Sequence, residues 1–581
     1  MYKSIRIGLL LFVFATYLGM AQETEDIGTE TVTVTKAYTP TVSDAFKIKS
    51  MPNLNDSIVL QKKKIEYSIF SVPVASTFTP NKGTASRVEK TPPPVLFNSY
   101  ASAGGGNPAN VMAQFYTTRE VDRESNYTIG LDHNSSRGNF DDVVYDNTFS
   151  NTRLDASFKK RDRDLDWGAD IGVQHQLYNW YGTPSGTFDF PPNVLVEIDR
   201  KAARQNYFMA EASGHINVEE SVFERADLKY RRFWDSEKSG ENRAIFNTGL
   251  VFPLNEESLG IKLKVDYVSG DFENASLNTV DNVQGIAYSN LLVGVNPRLI
   301  MLRDDLSLNL GINVVFGTDL ENNDSDFYIY PAVTASYRLL DETVIAYGGI
   351  EGELRQNSYY GFVEQNQFVS PTLRIEPTDT QYDAYVGIKG QLLPNLSYNL
   401  KGSYMAENRS PLFLLNPTND SRAANEVYAQ GNSFQVFYDD IKTFGLFGEL
   451  NVDVNRNFTL GINAEVYDYN TETDNPAWNR PNIQGSLFMD YQIGKKWFAG
   501  ANLFYVGERE DLERTIPTSN DTQITLDGFF DANAHVGHRL NDQFSIFIKA
   551  ANLANNNYQR WANFQVQGLQ VLGGATYKFD F

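Results

Sequence analysis

Along most of the chain, apolar and polar side chains alternate one for one. In LSLNLGINVVF, Leu306, Leu308, Leu310, Ile312, Val314 and Phe316 share one face, and Ser307, Asn309, Gly311 and Asn313 the other. FTLGINAEV sets Phe458, Leu460, Ile462, Ala464 and Val466 against Thr459, Gly461, Asn463 and Glu465. LDWGADIGVQHQL places Trp167, Ala169, Ile171 and Val173 opposite Asp166, Gly168, Asp170, Gly172 and Gln174, and LGIKLKVDY turns Leu259, Ile261, Leu263 and Val265 away from Lys262, Lys264 and Asp266. A period of two is that of a strand with one apolar face. The runs last nine to fifteen residues, the length that tilted strands need to cross a bilayer.

Ten short polar segments punctuate these runs: residues 122–125, 160–164, 218–222, 255–258, 303–305, 341–343, 393–395, 455–457, 494–496 and 541–543. Between successive short corners the chain makes a strand, a second connection and another strand. Several of the second connections are long, at 179–203, 357–379 and 406–440. Ten corners join twenty strands; one more strand near 97–104 and a last one at 569–581 bring the total to about 22. The fold predicted over 97–581 is all-β: a transmembrane antiparallel β-barrel with short periplasmic turns, longer extracellular loops and both termini periplasmic. The chain stops on GGATYKFDF, where Tyr577, Phe579 and Phe581 share one face and form a candidate signal for the barrel assembly machinery.

Composition agrees with this pattern. Aromatic residues make up 13% of the chain, with 32 Tyr and 38 Phe, yet no apolar run near 18 residues follows the first 21. Those first residues, with Lys3 and Arg6, an apolar run over 7–18 and a Gly19-Met20-Ala21 cleavage site, read as a signal peptide. There is no cysteine, so burial and hydrogen bonds alone hold the exported fold. The net charge is −22; residues 1–21 hold +2 and 22–96 hold +1, which leaves −25 on 97–581. So acidic a surface repels phosphates and excludes nucleic acid as a partner.

Catalytic chemistry is sparse. Only five histidines occur, and the alternation sends His535 to the polar face and His538 to the apolar one, so the two cannot share a metal. His175 falls on an apolar face as an aromatic anchor. No Ser/His/Asp set stands out, and neither an enzyme nor a cofactor is expected. NNDSD (322–326) and NPTND (416–420) suit calcium or plain Asx turns equally well. Gly104-Gly105-Gly106 reads as the turn of the first outer hairpin.

The last hundred residues carry a family resemblance: RPNIQGSLFMDYQIGKKWFAGANLFYVGERED (480–511), RLNDQFSIFIKAANLANNNYQRW (539–561) and the closing GGATYKFDF. They resemble TonB-dependent receptors of Bacteroidota-like bacteria. At the other end Glu30, Thr31, Val32, Thr33, Val34 and Thr35 look like a TonB box. Family members place a globular plug between box and barrel. Here residues 37–96 leave room for only about 60 residues, interrupted by Pro40, Pro52, Pro73, Pro80 and Pro92-Pro93-Pro94, so the plug is expected to be absent or much reduced. Three roles stay open for the box: a handle for TonB, a relic beside an extension that binds another periplasmic protein, or a β-prone segment that joins a sheet edge.

The resemblance implies substrate passage across the outer membrane, energised through the box. The competing expectations are a plugless accessory subunit of an envelope assembly or secretion complex, and a passive porin. The implied partners are outer-membrane lipid, the barrel assembly machinery, a periplasmic protein on residues 22–96 and a surface lipoprotein. An unplugged bore this wide needs occlusion. The long loops are candidates, since Trp180, Tyr181, Phe188, Phe190, Tyr359, Tyr360, Phe362, Phe413 and Tyr428 are unusual in solvated loops and suit inward packing.

Overall fold

A computed structural model of the chain describes residues 96–138, 145–183, 203–278, 285–419, 422–423, 426–516 and 521–580. The signal peptide, the box-like residues Glu30–Thr35, the rest of the extension to residue 95, Phe188, Phe190 and Phe581 lie outside the described residues.

Twenty-two antiparallel strands form one sheet. Its first strand, Ser99–Asn107, pairs with its last, Gln570–Phe579, and the sheet closes on itself. All ten polar corners read from the sequence fall between consecutive wall strands, as at residues 255–256 between Gly240–Leu254 and Glu257–Phe272. These corners use residues that accept left-handed backbone, among them Asn255 (φ 54°), Asp304 (φ 23°) and Asp341 (φ 45°). The first strand begins and the last ends at the short-turn end, since Ser99 pairs with Phe579.

The alternation resolves into an apolar outside and a polar inside. Phe327 and Ile329, on Asp324–Leu340, are 72% and 71% exposed, and Ile171, Val173, Leu228, Val386 and Ile548 also project outward. Aromatic pairs flank this belt. Near the short turns stand Phe158–Trp167, Phe458–Tyr491, Trp497–His538 and Tyr577–Phe579. Near the loops stand the His175–Phe208–Trp234 row, Phe316–Phe327 and Tyr505–Phe530. In water such a belt is an aggregation surface; against hydrocarbon, with aromatic rings at both interfaces, it is the favoured face. The described residues include no helix long and apolar enough to cross a membrane.

Two readings of the sequence need correction. Gly104-Gly105-Gly106 is not a turn: all three lie inside Ser99–Asn107, facing Gly574, Gly573 and Leu572 across the closing seam. A Cβ on Gly104 would sit 2.6 Å from Leu572 Cδ2, and one on Gly106 would overlap the Val571 carbonyl oxygen. The glycines let the two terminal strands approach. The long loop expected at 406–440 is also shorter. Strands Leu396–Leu415 and Phe434–Asn455 run up into it and leave only residues 416–433 between them. A register shift between Glu407 and Ser410 breaks the alternation there, and Leu412, Leu414 and Leu415 are covered on both faces, so period two disappears although the strand continues.

Candidate functional site: a capped mouth above a polar lumen

At the loop end the connections fold back into the bore and build a hydrophobic core there. Residues 356–377 contribute most. Within them the helix Tyr359–Gln365 starts on Ser358, whose Oγ accepts a hydrogen bond from the Gly361 amide at 3.1 Å. Tyr359, Phe362 and Val363 of this helix, followed by Phe368, Val369, Leu373 and Ile375, pack on inward wall residues Tyr207, Met209, Phe233, Val268, Phe272 and Tyr288. Other loops close over them with Trp180, Tyr428 and the Trp561/Phe564 pair. The rings meet edge-to-face or stacked: Phe272–Tyr359 at 4.9 Å, Tyr181–Phe564 at 5.0 Å and Phe368–Phe564 at 3.8 Å. Each buried aromatic of this kind stabilises the cap by roughly 1.5–3 kcal/mol.

Polar ties lock the cap to the wall. The Glu241 carboxylate, 1% exposed, accepts from the Tyr359 amide (2.5 Å) and from the Tyr288 hydroxyl (2.7 Å). Tyr359 donates its hydroxyl to Asp235 at 2.7 Å, and Tyr207 donates to the Gln367 carbonyl at 3.0 Å. Arg243 forms a two-pronged pair with Asp266 (2.9 and 2.8 Å) and reaches the Gln356 carbonyl at 3.3 Å. The Arg231 guanidinium lies 3.8 Å over the Tyr360 ring. Among the loops themselves, Tyr181 donates to the Gln565 carbonyl (2.7 Å), Asn432 to the Trp180 carbonyl (2.9 Å) and Arg422 to the Ser276 carbonyl (2.9 Å).

Above the membrane belt, the small hairpin of Arg509–Glu513 with Thr522–Leu526 braces the cap's flank. Its Asp511 is fully buried and accepts from Asn479 (2.7 Å) and from the Leu415 amide (2.9 Å). Burial pushes this carboxyl up to about 6, against the opposing pull of those hydrogen bonds.

Two cavities flank the cap, the outer along strands Ile286–Arg303, Leu306–Asp319 and Asp324–Leu340 and the inner along Phe223–Asp235, Gly240–Leu254, Glu257–Phe272, Ile286–Arg303, Leu306–Asp319 and Val344–Arg355. The outer one, of about 840 Å³, is lined by Asn290, Asp319, Asp324, Asp326 and Tyr328 on the wall and by Arg374, Glu376 and Arg409 beside the cap. The inner one, of about 550 Å³, lies in the lumen among Arg225, Asp227, Lys262, Lys264, Arg298 and Glu353. Leu292 and Leu354 line both. Together with Val315 and Tyr330 they form a buried apolar bar on four adjacent wall strands.

The inward packing expected of the loop aromatics is what the described rings do: Trp180, Tyr359, Phe362 and Tyr428 belong to the cap core, with Tyr181, Tyr360 and Phe413 packed against it. Phe413 does so from a wall strand rather than a loop. His538 faces outward against Trp497, with ring centroids 4.4 Å apart, and takes the opposite face from His535 as the alternation required. Among the described residues no group of three His, Cys, Asp or Glu is placed to hold a metal ion. Tyr577 and Phe579 stack on the outer face at 5.6 Å. The sequence reading missed Trp561 and Phe564 as cap anchors. The signal was an aromatic pair around Ala562-Asn563, in which Asn563 (φ 68°) turns both rings inward.

No family model matches the chain, and no curated protein matches it by sequence. Solved structures do. The ferripyoverdine receptor of the outer membrane of Pseudomonas aeruginosa superposes with a TM-score of 0.61 at 13% identity, covering 84% of this chain and 72% of the receptor. The siderophore receptor PirA from Acinetobacter baumannii gives 0.61 at 11%, covering 83% and 80%. The FrpB iron transporter from Neisseria meningitidis gives 0.62 at 11%, covering 84% and 83%. The barrel has the fold of TonB-dependent receptors. These neighbours are transport receptors rather than enzymes.

Proposed function

We propose that the protein is an outer-membrane, receptor-type barrel that admits a substrate from outside when its cap rearranges. The observation that supports this reading is the bar of Leu292, Val315, Tyr330 and Leu354 on four adjacent wall strands, in which Leu292 and Leu354 line both a cavity beside the cap and a cavity in the lumen. Side chains shared by the two cavities are the proposed gate, opened by side-chain and loop motion. Residues Glu30, Thr31, Val32, Thr33, Val34 and Thr35 are the proposed grip for TonB, and Tyr577, Phe579 and Phe581 the proposed signal to the barrel assembly machinery. Both termini are assigned to the periplasm, where residues 22–96 can meet TonB or another protein, and a surface lipoprotein is the proposed partner over the mouth.

A second reading rests on the extent of the seal. A mouth closed by an apolar core of its own loops suits a barrel kept as an accessory subunit of an envelope complex. Planar-bilayer recording of the purified protein separates the two. The transport reading expects a small or silent wild type and clear channel steps in a Leu292→Ala/Leu354→Ala variant. If that variant stays silent while stoichiometric partners remain attached during purification, the accessory reading replaces it.

A further inference from the structure

The outer cavity carries polar groups that neither the wall nor the cap uses. Three carboxylates stand on two adjacent strands: Asp319 is the register partner of Asp324, and Asp326 follows two residues on, opposite Gly317. Asp319 is occupied by its own turn, accepting from the Glu321 amide (2.9 Å), the Asn322 amide (3.1 Å) and Asn322 Nδ2 (2.7 Å). Asp324 and Asp326 have no cationic or hydrogen-bonding partner among the described residues and line the cavity with their charge unopposed.

The two cations lining the same space already have partners. Arg374 pairs with Glu376, while Arg409 donates to the Pro377 carbonyl (3.2 Å) and the Tyr328 hydroxyl (3.4 Å). Counting Glu376, four acids face two cations, a local excess of two negative charges.

A second observation points the same way. Asn290, the register partner of Asp319, is only 5% exposed, lines the cavity and has no hydrogen-bond partner among the described residues. Its amide is left open to bonding by whatever occupies the cavity. Gln435 accepts from Asn278 at 2.7 Å and keeps a buried Nε2 without an acceptor on the same cavity. The Tyr328 ring, parallel to Tyr330 at 6.1 Å, adds a flat aromatic wall.

A metal ion finds no three-carboxylate set here. An anion would meet the excess negative charge, and a neutral ligand would leave the two free carboxylates unmatched. We infer that the outer cavity binds an organic cation of the oligoamine or basic-peptide class, its amines on Asp324 and Asp326 and its hydrogen-bonding groups on Asn290 and Gln435. The size, about 840 Å³, is that of a site for a molecule of a few residues. This deepens the transport reading by naming a substrate class, but its test reads binding alone, so a silent gate variant does not decide it.

The test is isothermal titration of the full-length protein in detergent with trilysine and spermidine, against citrate and maltotriose, at low and high salt. Trilysine and spermidine are expected to bind and to weaken as salt rises. An Asp324→Asn/Asp326→Asn variant, altered only at exposed positions, should weaken them about tenfold, the scale of losing two ligand-facing charges. The heat-dependent shift of the barrel on a gel checks that the variant is folded. The inference is overturned if neither cation binds, if citrate or maltotriose binds as well as trilysine, or if the folded double variant binds unchanged.

Discussion

Replacing Phe564 by Ala removes the ring on which several loops converge. Phe564 is 1% exposed, stacked on Phe368 at 3.8 Å, edge-on to Tyr181 at 5.0 Å and 6.0 Å from Phe434. Gly182 leaves room for it: a Cβ there would lie 2.5 Å from the ring, so no side chain on that side can refill the hole. Truncating a buried Phe costs about 3–5 kcal/mol. The wall strands are held by their own ladders, and the cap is held to them through this core, so the loss falls on the local stability of the cap rather than on the barrel. That corresponds to roughly 200- to 5,000-fold faster hydrogen exchange in residues 356–377 and 552–569 of Phe564→Ala, with the wall strands unchanged. Exchange in detergent followed by peptide mass analysis reads both regions in one sample. Cap peptides as protected as in the wild type, in a barrel that still runs as folded, would refute the claim that an aromatic core holds the mouth shut.

Other consequences follow from the seam and the bracing hairpin. Gly106→Val drives a side chain into the Val571 backbone and should cut the yield of heat-resistant barrel severely, whereas Gly105→Ala, whose added methyl meets nothing closer than Asn110 O at 3.7 Å, should be tolerated; equal yields would contradict the close approach at the seam. Asp511 binds its proton more tightly folded than unfolded, because burial raises its pKa to about 6. Its folded state therefore gains stability as pH falls from 7 through 6 toward 4, and loses it as pH rises through that window. Proteolytic protection of residues 509–526 should be greater at pH 5 than at pH 7 in the wild type and level in Asp511→Asn; protection that declines on acidification would reverse the assignment.

The barrel was legible in the sequence because its physics is local. A strand between lipid and lumen must alternate, so Leu306 through Phe316 declared a face without any partner being known, and Asn255, Asp304 and Asp341 marked corners by their tolerance of left-handed backbone. Legibility ended where a strand left the membrane. Leu412 to Leu415 are covered on both sides, so a rule based on one wet face mistook a strand for a loop. The glycines of the first strand misled for a related reason: their smallness serves a chain end nearly five hundred residues away, and nothing local distinguishes that from a turn. The cap was half visible. Aromatic loops told of inward packing, but the buried Glu241 and Asp235 that hold Tyr359 are ordinary acids until the helix arrives over them. The Leu292/Leu354 bar depends on four strands in register and left no mark on any one of them.

The claim beneath these arguments is that the outer mouth is shut by the chain's own loops. Because the chain has no cysteine, one can be placed at will. Asn322→Cys stands on the exposed rim and Ser403→Cys in the lumen beneath the cap. Intact cells treated from outside with a maleimide-polyethylene glycol too large for general porins should label Asn322→Cys quickly and Ser403→Cys not at all. Labelling of Ser403→Cys at the rate of the rim position would mean that the mouth stands open.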